Sequence, residues 1–106
     1  MINRFNTKVK GVVAPLLANI ATATEIGYGE FTSGMLIVGT GIGTLTWYTA
    51  VESGGTYAAA CDADGAAIVQ TVTAGRAYPI PFDLAGAAFL KVVADAAGTI
   101  DVTLKA

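Results

Sequence analysis

The sequence predicts an all-β fold, an antiparallel β-sandwich or jelly-roll of about 7–8 short strands with an extended N-terminal arm. Three observations predict it. From Phe31 onward the apolar residues alternate with period two or form short β-rich runs, the patterning of strands. Gly, Pro and Asp-Gly signals interrupt those runs at roughly the 8–12-residue spacing of sandwich strands. No stretch keeps the 3.6-residue period of an amphipathic helix over three turns.

Taken in order, residues 1–24 read as the arm and 25–106 as the sandwich domain. The arm has a polar start, a GVVAPLLA patch split by Pro15, then a Thr/Ala stretch, with room for one strand. FTSGMLIV follows, placing Met35 and Ile37 on one face and Leu36 and Val38 on the other, as for a strand buried on both sides. TLTWYTAVE sets Leu45, Trp47 and Val51 against Thr44, Thr46, Tyr48 and Glu52. TYAAAC is a short strand of small residues, and Asp64-Gly65 supplies the positive φ of a tight hairpin before AAIVQTVT. In RAYPIPFDL, Tyr78, Ile80, Phe82 and Leu84 line one face. Pro79 and Pro81 lack the donor that a ladder needs, so the segment belongs at a sheet edge or outside the sheet. AAFLKVVAD and TIDVTLK complete the set, the latter with Ile100, Val102 and Leu104 inward. Helix is expected at most as one turn in residues 83–88.

At 106 residues the chain has the size of one domain. It is 54% hydrophobic and 13% charged, about half the usual charged fraction, which suits a surface made for contact. No apolar run reaches the roughly 20 residues of a spanning helix. The start resembles a secretory signal, but Pro15 and Asn19 break the apolar region that such a signal requires. Arg4, Lys8 and Lys10 charge the first ten residues by +3, whereas residues 11–106 hold three cations against eight acids, a net −5. A basic arm before an acidic body favours docking on an acidic partner. Three cations are too few for nucleic acid. The expected partner-binding residues are Arg4, Lys8, Lys10, Val12, Val13, Leu16 and Leu17.

The chain has no histidine and one cysteine. A serine or thiol nucleophile therefore lacks its usual base, no internal disulfide is possible, and Cys61 reads as a small buried hydrophobe. GTGIG at 39–43 precedes a period-two strand rather than the helix that a phosphate loop opens; it reads as a hairpin connection. Asp62-Ala63-Asp64-Gly65 lacks the later ligands of a calcium loop and reads as a turn. Glu25, Glu30, Glu52, Asp83, Asp95 and Asp101 supply carboxylates, the minimum for glycoside hydrolysis, but most fall at strand ends or solvent faces. The sequence thus predicts a non-enzyme, with no catalytic residue, no metal and no cofactor.

The order of elements from Leu45 onward resembles small β-sandwich structural proteins of tailed bacteriophages. GRAYPIPFDLAGAAFLKVVA and TIDVTLKA carry most of the similarity. The resemblance implies a virion structural protein that decorates or cements a phage capsid by binding the major capsid protein shell. It implies a place on the capsid exterior after synthesis in the host cytoplasm. Apolar content above what so short a chain readily hides adds the expectation of a homo-oligomer, trimer or dimer, with neither nucleic acid nor membrane as partner. The alternative is a carbohydrate-binding or attachment module of a phage tail or fibre, with Tyr48, Tyr57 and Tyr78 as its stacking platform.

Overall fold

The computed structural model describes residues 7–13, 23–29, 31, 33–96 and 98–105; for 7–13, 99 and 105 it describes the backbone alone. The strands are β1 (Thr7–Val13), β2 (Ile26–Gly27), β3 (Ser33–Val38), β4 (Thr44–Ala50), β5 (Ala58–Ala59), β6 (Val69–Thr71), β7 (Ala77–Pro79), β8 (Phe89–Ala94) and β9 (Gly98–Lys105). A 3-10 turn, Phe82–Leu84, lies between β7 and β8. All pairings are antiparallel.

The pairings are nested: β1 with β9, β2 with β8, β3 with β7, and β4 with both β5 and β6. The chain is in effect one long hairpin, rolled so that β9 also meets β3 and β8 also meets β4. Rolling splits it into a sheet of order β1-β9-β3-β7 and a second of order β2-β8-β4-β5, with β6 also on β4. This is a jelly-roll. β5 and β6 act as one interrupted strand along β4, opposite Tyr48–Thr49 and Thr44–Thr46 respectively. Between them the Asp62–Gly65 turn caps a small hairpin closed by the Cys61–Ala67 bridge. Gly65 has φ +85°, as the expected turn requires.

The alternating strands build the core. Leu36 and Val38 of β3, Leu45 and Trp47 of β4, Leu90 and Val92 of β8, and Ile100, Val102 and Leu104 of β9 are all buried. Burial of such side chains is the main force holding the sheets together. One polar bridge joins them as well. The Trp47 indole N–H donates to Gln70 Oε1 at 2.7 Å, and Gln70 Nε2 donates to the Pro79 carbonyl at 3.1 Å.

Several expectations need correction. β3 is buried on one face only: Met35 is 45% and Ile37 52% exposed, because the four-stranded sheet has one side on the core. Val51 lies beyond the end of β4 in a turn and is 90% exposed. GTGIG is not a hairpin, since β3 and β4 lie in different sheets; it arches over the sandwich end with Ile42 buried. Cys61 is exposed and Ala60 takes the buried position. Phe82 is 86% exposed, because the turn that follows Pro81 breaks the alternation between buried Ile80 and Leu84. The proline-bearing β7 does form a sheet edge, where a missing N–H costs no ladder bond.

Candidate interaction surfaces

Of the expected partner-binding residues, Arg4, Leu16 and Leu17 lie outside the described residues. Lys8, Lys10, Val12 and Val13 fall in β1, in register with Thr103, Asp101, Thr99 and Gly98 of β9. The strand that the arm had room for is thus the outer strand of the four-stranded sheet. Across β9, Thr103 and Asp101 are in register with Met35 and Ile37 of β3, which in turn face Pro79 and Ala77 of β7. Partners in register share a sheet face. The outer face of this sheet therefore carries an apolar strip, Met35, Ile37, Ala77 and Pro79, beside the polar row Asp101 and Thr103. The pairing of strands creates this strip, so period-two reading of one strand cannot reveal it.

Three carboxylates, those of Glu25, Asp62 and Asp95, are committed to local structure. Glu25 accepts the Ser53 hydroxyl at 2.6 Å, the Gly54 N–H at 3.0 Å and the Tyr57 hydroxyl at 2.5 Å. The Ser53 hydroxyl first, then Tyr57 and the Gly54 amide, hold its pKa down at about 2, with a smaller pull from the Lys91 charge. Desolvation first, then the hydrogen bond and charge of Glu25, push the Tyr57 phenol well above its ordinary range. This network ties the segment before β2 to the β4–β5 connection. Asp95 accepts the Gly43 and Thr44 amides at 2.8 and 3.1 Å, bonds that lower its pKa. Asp62 Oδ1 accepts the Asp64 and Ala66 amides, so this oxygen serves its own turn. Among the described residues no group of three or more metal-ligating side chains assembles.

The three tyrosines do not form one platform. Tyr78 belongs to β7 of the four-stranded sheet, packs against the core, and accepts the Thr73 amide at 2.8 Å through its hydroxyl. Tyr48 is on β4 of the other sheet. Tyr57 has its hydroxyl engaged by Glu25 and Lys91 Nζ over its ring, 4.9 Å from the centroid.

An open cleft of about 280 Å³ lies between Thr49 of β4, Ala59, Ala60 and Cys61, and the segment that carries Asp83, Leu84, Gly86 and Ala87. Most side chains around it are small, and Thr49 and Asp83 make its lining as polar as it is apolar. Sequence reading missed it because those eight residues come from three segments that only the roll of the chain brings together.

No protein-family model matches the chain, and no curated protein matches it. Among solved structures, it is similar to the SPBc2 prophage-derived protein YomS, whose crystal structure aligns over 100% of this chain and 99% of that one. The TM-score is 0.53 and the sequence identity 14%. Such a likeness establishes a shared fold.

Proposed function

We propose that the chain is a phage virion structural protein that decorates or cements a capsid by binding the major capsid protein shell. The observation that carries this reading is the jelly-roll, matched end to end by a prophage-derived protein. The surface suits the work. The outer face of the four-stranded sheet pairs an apolar strip at Met35 and Ile37 with a sparse polar row, and the basic strand β1 adjoins that row. A repeated shell tolerates weak individual contacts, because many copies and bridged subunits multiply them. The carbohydrate-binding alternative loses its proposed platform, since Tyr78 is on a different sheet from Tyr48.

The test is to mix the purified protein with heads lacking it, pellet the heads and count bound copies by quantitative gel. Decoration predicts saturation on the order of hundreds of copies per head, as expected for binding to a repeated subunit. Binding should weaken in Met35→Ser/Ile37→Ser and in Lys8→Glu/Lys10→Glu. A handful of copies assigns the protein to a vertex or tail instead, and an absence of binding overturns the reading.

A further inference from the structure

We propose that the free edge of β1 pairs with β1 of a second copy of this chain, antiparallel and centred on Gly11, so that two four-stranded sheets run on as one. The inference concerns self-association and does not rest on the capsid reading.

The edges of the two sheets are unequal. A strand at a sheet edge offers its outward N–H and C=O groups to any chain able to pair with them, and proteins close such edges with very short strands or proline. Three edges carry that protection. β7 has three residues and ends on Pro79, β2 has two residues, and the β5–β6 side is cut into pieces of two and three. β1 has neither device. It runs seven residues, TKVKGVV, without a proline, and among the described residues its strand partner is β9 alone.

The order of residues in β1 decides what can pair with it. Val9 and Gly11 are in register with buried Val102 and Ile100 of β9, which puts them on the core face of the sheet. Lys8, Lys10 and Val12 therefore alternate onto the outer face. A two-fold axis normal to the sheet keeps the outer faces of both copies on one side and closes the contact as a dimer. Outer positions must then meet outer positions, because a slip by one residue exchanges the faces. A register centred on Val9, Lys10 or Gly11 pairs at least five residues within Thr7–Val13. Centring on Val9 sets Lys8 opposite Lys10, and centring on Lys10 sets that residue opposite itself, both destabilising. Centring on Gly11 sets Lys10 opposite Val12 and Val9 opposite Val13, twice over by symmetry. Lysines on an edge commonly discourage pairing; here they disfavour the wrong registers and leave this one open. A second copy is the occupant because β1 complements itself: apolar meets apolar on the core face, and the cations stay apart on the outer one. Edge pairing also leaves the outer face uncovered, so the strip at Met35 and Ile37 keeps its exposure.

The experiment is sedimentation of the full chain over a concentration series, under reductant so that exposed Cys61 forms no disulfide, together with hydrogen exchange. Wild type should dimerise reversibly at concentrations below about millimolar. Exchange in residues 9–13 should slow as concentration rises, while the β7 edge at 77–79 stays unchanged. Val12 is the position that reads the register. Val12→Lys sets a lysine opposite the other copy's Lys10, and Val12→Glu sets an acid there. Within one copy either side chain is in register with uncharged Thr99, so both variants should fold. Val12→Lys should weaken dimerisation and Val12→Glu tighten it, each by roughly two- to thirtyfold, since the pair occurs twice. Mere loss of the valine would move both variants the same way. Wild type remaining monomeric up to about millimolar, a dimer whose residues 9–13 exchange independently of concentration, or both variants shifting in one direction would each overturn the proposal. None of these readings uses phage heads, so head binding stands or falls separately.

Discussion

β9 and the stretch from Val51 to Ala88 are held in the same sandwich by different means. β9 runs eight residues, pairs on both sides, and alternates buried Ile100, Val102 and Leu104 with half-exposed Asp101 and Thr103. Its place follows from apolar burial and ladder bonds alone. The later stretch has only β5, β6 and β7, of two or three residues each. Isolated backbone bonds, such as Val72 to Gly43 and Ile80 to Gly34, and side-chain hydrogen bonds add to its short ladders: Tyr57 to Glu25, Asp62 to its own turn, Gln70 between the sheets, and the Thr73 amide to Tyr78. The difference teaches where freedom lies in this fold. The long strands set the roll, and the short ones are pinned one bond at a time, which leaves Phe82 and the cleft to face outward.

Breaking the first kind of support should cost most. Trp47 is fully buried between the sheets, and Trp47→Ala should lower unfolding stability by about 3–5 kcal/mol, from lost burial plus the cavity left behind. Urea denaturation checks this, as a lower midpoint with an unchanged slope. A smaller loss is expected from Gln70→Ala, which leaves the buried Trp47 indole N–H without its acceptor and the Pro79 carbonyl without its donor. The cost of such an orphaned donor is about 1–3 kcal/mol. If Gln70→Ala proves neutral, the β6–β7 region is held by its backbone, and the contrast with β9 weakens.

The same contrast explains what could be read from the residues. The all-β class, the inward rows of β4 and β9, the Asp-Gly turn and the edge position of the proline-bearing β7 all follow from local pattern and backbone chemistry. Met35 and Ile37 misled because an apolar side chain on a strand has two ways to be accommodated, and only the other layers of the fold decide which. Cys61 and Phe82 misled for another reason: alternation was carried through points where the ladder stops, at the 61–67 hairpin and at Pro81. Glu25, Ser53 and Tyr57 gave no advance signal of their network. They are up to 32 residues apart in sequence and meet through the roll. The cleft was hidden in the same way.

The Glu25 network offers the finest test, because it can be read from both ends of the pH scale. Its folded pKa of about 2 lies below the ordinary 4.5, so the folded state favours the carboxylate more than the unfolded chain does. The resulting stabilisation is present above about pH 4.5 and is lost as pH falls towards 2. Tyr57 behaves oppositely. Its phenol is raised above the ordinary 10, so its contribution is intact below about pH 10 and disappears as the solution becomes more alkaline. Glu25→Gln should therefore be less stable than wild type at pH 7 and lose less on acidification through the 4.5 to 2 window, as read by urea midpoints at matched ionic strength. The substitution removes the negative charge and carboxylate acceptor beside Tyr57, so the phenol should also ionise at lower pH, which absorbance titration measures. Burial is the leading cause of that shift, so the phenol should stay above its ordinary value even in the variant. If acid sensitivity persists unchanged while the phenol moves, Glu25 orients Tyr57 without holding the loop. The β4–β5 connection would then rest on the ladder between β4 and β5, as β9 rests on its own.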